Sequence, residues 1–213
     1  MPSRLAILID LLHTPGEAAL ATHSVAMPGY PFATSIAFAT DEHHRPVLLI
    51  SRLAEHTQNL AADARASLMV ARSLGDGEIA RVSLVGEVLP IDADSRLVSR
   101  YLRFHPAAER FLQLGDFRFH RFEPTRIRVV GGFAQAGWLD GHQLIAAPHL
   151  PLDEEARLLD AAQPTLPAEV ALLGLDAYGA DIRVGGTRSR RAFKAGPVVG
   201  DAVLTTLSRE LQA

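Results

Sequence analysis

A chain of 213 residues with 48% hydrophobic residues has the length and apolar content for one large domain, or for one of about 140 residues with a small second unit. Its formal net charge of -3, with no run of like charges, excludes an electrostatic case for nucleic acid or an anionic membrane as partner. The absence of cysteine excludes disulfides, thiolate nucleophiles and thiolate metal sites, leaving a small-molecule partner and a reducing, cytoplasmic setting as the expectation.

The opening segment "MPSRLAILIDLLHTPG" resembles a short leader, but Asp10 interrupts an apolar run already near the minimum length, so it reads as an amphipathic helix capped by Ser3 and stopped at Pro15-Gly16. No stretch reaches the roughly 20 apolar residues of a membrane span. Strand-rich runs follow at "EAALATHSVA", "FATSIAFAT", "PVLLIS", "ASLMVARS", "ARVSLVGEVLPI", "FRFHRFEP" and "RIRVVGG". Turns such as "DEHHRP" and "SLGDGE" separate them, which predicts an antiparallel barrel. Helices are predicted at "LAEHTQNLAADA" and at "DADSRLVSRYLRFHPAAERFLQLG", the second bent at Pro106, which cannot continue a helix through itself. From about Leu150 the texture changes to a helix "DEEARLLDAA", short strands "ALLGLD", "ADIRVGG" and "SRRAF", and a closing helix "GDAVLTTLSRELQ". The fold class is therefore α+β and mainly β: a barrel over residues 1–149 and a small α+β domain over 150–213.

The stretch "VLLISRLAEHTQNL" concentrates donors where a strand ends and a helix begins. Backbone N–H groups and the positive end of a helix dipole hold an anion there without a large net positive charge. Arg52 and His56 add charge, while Ser51, Thr57 and Asn59 add hydroxyl and amide groups suited to one phosphate and the polar edge of a ring. Helix capping and a solvated arginine account for the same residues without a ligand.

"MPGYPFATSIAFATDEHHRPVLLISRLAEHTQNLAADARASLMVA" followed by "ARVSLVGEVLPI" resembles the FMN-binding split-barrel family of pyridoxamine 5'-phosphate oxidase, in its haem-iron-utilisation branch. The resemblance covers roughly residues 5 to 140 and is dense at "GYPF", "LLISRLAEHTQNL" and "GGFAQAGWL". It implies noncovalent FMN at the interface of a homodimer, with Ser51, Arg52, His56, Thr57 and Asn59 around the phosphate. It also implies Ser35 and Arg81 near the isoalloxazine ring, where an arginine would stabilise reduced flavin. The expected activity is that of an FMN-dependent oxidoreductase; the alternative is a haem-binding or haem-trafficking protein with weak or no flavin binding. Glu55 departs from the family's basic residues beside the phosphate and must point away if FMN binds well.

In the haem branch a C-terminal histidine serves some members as iron ligand. No histidine follows His149 here, so residues 150–213 offer only Tyr178, expected exposed in the turn "DAYG". Any haem ligand is then expected from the barrel, with His13 and His23 the candidates. The cluster Arg188, Arg190, Arg191 and Lys194 is expected to be a solvated strand face, with contact to haem propionates as the alternative. Among the nine histidines, His43 and His44 read as surface turn residues, His105 and His120 have no spaced partner, and no metal is assigned. Trp138 is expected in the core or at the dimer seam. There is no catalytic triad with a nucleophile elbow, no P-loop and no dinucleotide fingerprint.

Overall fold

The computed structural model describes residues 3–14, 16–75, 77–131 and 136–212. Part of the stretch "GGFAQAGWL" and Pro15 lie outside the described residues. Helix α1 (Arg4–His13) begins where the Ser3 hydroxyl accepts the Ala6 N–H at 3.1 Å, as its capping position predicts. It buries Leu8, Ile9, Leu11 and Leu12.

Eight strands form the larger sheet: β1 (Ala18–His23), β2 (Pro31–Ile36), β3 (Ala39–Thr40), β4 (Pro46–Ser51), β5 (Arg65–Gly75), β6 (Glu78–Pro90), β7 (Phe117–Val130) and β8 (Ala136–Asp140). Their order is β2-β1-β5-β6-β7-β4-β3, with β8 beside β7, and every pairing is antiparallel. Alternation along β5 and β6 sends Leu68, Val70, Val82 and Leu84 inward against Leu8, Leu12, Phe122 and Ile127. Their neighbours in sequence form an outer face of the sheet.

One expectation needs correction. "FRFHRFEP" and "RIRVVGG" are not two strands but one of 14 residues, β7, running through Pro124. The ladder slips between Val85 and Gly86, and Pro124 stands opposite Gly86 at that bulge, the place where a strand tolerates a missing N–H. A Cβ on Gly86 would lie 2.0 Å from the Glu123 carbonyl oxygen, so only glycine fits. The strand β8 was not anticipated.

Helix α2 (Glu55–Ala62) joins β4 to β5. Helix α3 (Ser95–Phe104), capped by Asp94, gives way at Pro106 to a 3-10 turn and α4 (Glu109–Leu112), the bend expected there. After α5 (Gly141–Ile145), the chain forms α6 (Leu152–Ala162), a three-stranded antiparallel sheet of β9 (Val170–Asp176), β10 (Gly179–Val184) and β11 (Thr187–Ala192), and α7 (Ala202–Gln212). Leu158, Leu175, Ile182, Val203 and Leu207 give this sheet its own apolar cluster. A third cluster, in which Leu173 of β9 joins Tyr101, Phe104 and Phe119, ties it to the barrel. Among the described residues, no helix is long and apolar enough to cross a membrane.

Candidate functional site

The seven residues singled out from sequence fall into two groups. At the start of α2, Arg52 is exposed and Thr57 and His56 turn inward; Thr57 Oγ1 and His56 Nε2 are buried with no hydrogen-bond partner. Burial, then the neighbouring His120, lowers the His56 pKa, so its imidazole is neutral and has a lone pair to offer. Glu55 is exposed on the same turn. Ser51 and Asn59 are committed elsewhere. The Ser51 hydroxyl donates to Asp116 and accepts the Leu53 N–H, while buried Asn59 accepts the Val25 N–H at 2.9 Å and donates to Thr22 at 3.0 Å. Asn59 clips α2 to β1.

Ser35 and Arg81 lie on the outer face of the sheet. Ser51 pairs with Phe117 and Arg81 with Val130, at opposite ends of β7, while Asn59 reaches Thr22 of β1, whose partner Phe32 lies three residues from Ser35.

The outer face itself is built in rows. Ser35, Ala19, Met69, Ser83, Arg128 and Trp138 follow one another across six strands; the next row runs Ala33, Ala21, Ser67, Val85, Arg126 and Asp140. Small side chains keep much of the face low, and a groove of about 480 Å³ opens on it, bounded by His23, Pro31, Arg65, Ser67, Val85 and Glu87. That volume lies within the usual range for small-molecule sites. His23 is exposed at the groove. Trp138 is 49% exposed rather than buried in the core; the Arg126 and Arg128 guanidinium groups lie 5.0 and 5.7 Å from its ring.

The second histidine candidate, His13, lies at a buried seam where the end of α1 and the β3–β4 turn meet the three-stranded sheet. Three further expectations fail here. His44 is not a surface turn residue: it sits in the left-handed region (φ 63°), fully buried, with Nε2 3.2 Å from the Pro148 carbonyl and its ring edge-on to Tyr178. Arg190 is not on a solvated face: buried on β11, it donates to Asp176 at 2.8 and 3.0 Å and to Asp181 at 3.3 Å. Tyr178 is half-buried rather than exposed.

His13, His44 and Asp176 present ligand atoms within 4.8 Å of one another, a grouping that could hold a metal ion. Their hydrogen bonds assign these atoms to another task. Burial, above all, pushes the His44 pKa down to about 3, so the ring is neutral. Its Nε2 faces a carbonyl and must carry the proton, leaving Nδ1 as acceptor for His13 Nε2 at 3.1 Å. Asp176 is held by Arg190, a cation already in the place a metal would neutralise, and its carboxyl pKa is well below the usual carboxylate range despite its burial. None of Asp176, Asp181 and Arg190 was singled out as a partner set from sequence. The available signal was a pair of acids flanking the "DAYGAD" turn opposite a strand with Arg188 and Arg190 at period two.

Three comparisons bear on this geometry. A family model described as "CREG, beta-barrel" matches residues 10–145. The chloroplastic heme oxygenase HOZ of Arabidopsis thaliana is 34% identical over 186 residues, covering 77% of this chain; the chain spans 58% of that relative's length. Among solved structures, a heme-binding protein from Mycobacterium smegmatis (24% identity, TM-score 0.65, covering 100% of this chain and 99% of its own) has this fold. So does a protein of unknown function from Agrobacterium tumefaciens (22%, TM-score 0.72, covering 100% and 98%).

Proposed function

The chain belongs to the CREG β-barrel family, and from that premise we propose that it is a haem-binding, haem-processing homodimer whose haem lies on the outer sheet face. The observation that carries this reading is His23, an imidazole exposed at a groove lined by small residues, by Val85 and by Arg65 and Glu87, with Arg126 beside Val85 on the neighbouring strand. The relative named a heme oxygenase, 34% identical, supports the class of ligand. His13, the other candidate, is 1% exposed with both ring nitrogens engaged, so iron has no access to it.

The donor set fits the group. Haem offers a flat apolar ring, two carboxylates and an iron that takes a neutral imidazole nitrogen. His23 would hold the iron, Val85 and the alanines would meet the ring, and Arg126 and Arg128 would meet the propionates. When bound, haem would supply the iron at which oxygen is activated. A second copy packed on the same face would close the groove and exclude water, and in an isologous pairing each chain lends the other its arginines. Residues 150–213 act in this reading as a separate α+β domain bracing α1 from behind, without an iron ligand. Titrating the protein with hemin tests it: the expected result is a saturable Soret shift at one haem per chain, weakened about tenfold in Arg126→Gln/Arg128→Gln. No shift in the wild type would end the proposal, and light scattering showing a monomer at micromolar concentration would remove the dimer from it.

A second reading, an FMN-dependent oxidoreductase, is favoured by a specific observation: Thr57 Oγ1 and His56 Nε2, buried and unpartnered at the start of α2 beside exposed Arg52. A phosphate there would satisfy both and draw a proton onto His56. A second copy packed two-fold on this one would complete the flavin site. FMN fluorescence quenching tests it; Arg52→Ala should weaken binding by about 1.5–3 kcal/mol, and unchanged affinity would remove the assignment.

A further inference from the structure

A second cavity, of about 910 Å³, lies between the barrel and the C-terminal sheet, near the upper end of the usual range for small-molecule sites. The end of β5 and helix α1 form one wall, through Ala6, Ile7 and Leu74; the other is formed by Tyr178 in the β9–β10 turn and by Phe193 and Pro197 after β11. Both walls are anchored. Ile7 packs against the apolar core of the barrel, and Phe193 belongs to the apolar cluster of the three-stranded sheet. None of the residues around this cavity borders the groove at His23.

Four charged side chains line this largely apolar space: Asp10, Arg72, Arg190 and Lys194. Three of them are engaged. Arg190 pairs with Asp176 at 2.8 Å and Asp181 at 3.3 Å behind the wall, and Arg72 pairs with Asp10 at 2.7 Å. The Lys194 ammonium is the fourth, 77% exposed, and its contact with Glu210 at 3.4 Å is of the solvent-screened kind that contributes little. Within the wall, Arg190 Nε is buried 3.5 Å from Asp10 Oδ1 and has no hydrogen-bond partner among the described residues. The polar part of the cavity is thus short of one acceptor, and one positive charge at its opening is only loosely answered.

We propose that this cavity binds a monocarboxylic acid with an extended apolar body, its chain between Ile7 and Leu74 on one side and Phe193 and Pro197 on the other, and its carboxylate on Lys194. The apolar walls favour the body, each buried methylene raising affinity by up to about fourfold. The single loosely held cation favours one carboxylate. A second carboxylate on the ligand would meet Asp10 and an Arg72 already paired with it, so a dicarboxylic acid fits less well. A ligand so placed touches both walls and fastens the C-terminal sheet to the barrel. The site does not depend on haem at the outer face.

Isothermal titration calorimetry of the full chain with decanoate, octanoate and 1-decanol tests the proposal. Decanoate is expected to bind saturably at one per chain, octanoate about tenfold more weakly for its two missing methylenes, and 1-decanol about tenfold more weakly for its missing charge. Two variants on opposite walls locate the site. Ala6→Trp fills the space from α1 and should abolish decanoate binding; Lys194→Glu, at an exposed side chain that places no demand on folding, should weaken decanoate about tenfold and bring it level with 1-decanol. The hemin Soret response should be the same in both variants as in the wild type, which separates this site from the outer face. If Ala6→Trp does not fold, Lys194→Glu decides alone. No saturable binding of decanoate, equal affinity for decanoate and 1-decanol, decanoate binding unchanged in Lys194→Glu, or binding retained in a folded Ala6→Trp would overturn the proposal.

Discussion

The outer sheet face and the buried seam behind α1 use the same residue types to opposite ends. At the seam, His13, Arg190, Asp176 and Asp181 are buried and answer one another's charges. On the outer face, His23, Arg81 and Arg126 stand among alanine, serine, Met69 and Val85, exposed beside a groove. A buried charge must find its partner inside the chain because water cannot reach it, whereas an exposed one remains available to a ligand or a second copy. Ten residues therefore separate a histidine that holds the molecule together from one that can take a ligand.

The comparison breaks most visibly at Arg190. Arg190→Met removes the guanidinium that pairs with both Asp176 and Asp181, and should cost about 3–5 kcal/mol in urea denaturation. Asn59→Ala comes next: removing the clip between α2 and β1 leaves the Val25 N–H and the Thr22 hydroxyl without their partner, a loss of about 1–3 kcal/mol. A much smaller cost with impaired FMN binding would return Asn59 to the ligand set.

Acid sharpens the same contrast. The His44 pKa is about 3 in the folded chain, below the ordinary imidazole value of about 6.5. Between those values the unfolded chain takes up a proton that the folded chain refuses, so this contribution to stability is present above pH 6.5 and falls as pH drops toward 3, by up to about 1.4 kcal/mol per pH unit. Asp176, with its folded pKa depressed, adds a further loss as pH falls below the ordinary carboxylate range. His44→Gln should flatten the slope between pH 6 and 4 in thermal melts. The smallest effect belongs to the outer face: Val85→Lys, at a side chain 46% exposed, should change chain stability by less than about 0.5 kcal/mol while shifting the proposed dimer toward monomer in light scattering.

Local physics made much of the fold legible in sequence. Ser3 as cap, the bend at Pro106, the alternation of β5 and β6 and the short C-terminal strands all depend on residues near one another in the chain. Pro124 misled because its tolerance depends on Gly86, a distant residue across the ladder. His44 misled because its polar neighbours mark a turn correctly, whereas its burial comes from Pro148, Tyr178 and His13. Arg190 looked solvated in "SRRAF" because Asp176 and Asp181 lie on strands whose pairing local pattern does not specify. At the candidate site, the donor-rich stretch before Asn59 was visible, but which donors were already spent was not: Ser51 on Asp116, Asn59 on Thr22 and Val25, with Arg52, His56 and Thr57 left over.

The division of labour between the two N-terminal histidines is tested most directly by hemin titration of His23→Ala and His13→Gln side by side, each first shown to be folded by circular dichroism. The account predicts that His23→Ala loses the Soret shift with its stability unchanged, while His13→Gln keeps the Soret shift and loses stability. A full Soret shift in His23→Ala, or its loss in a folded His13→Gln, would contradict it.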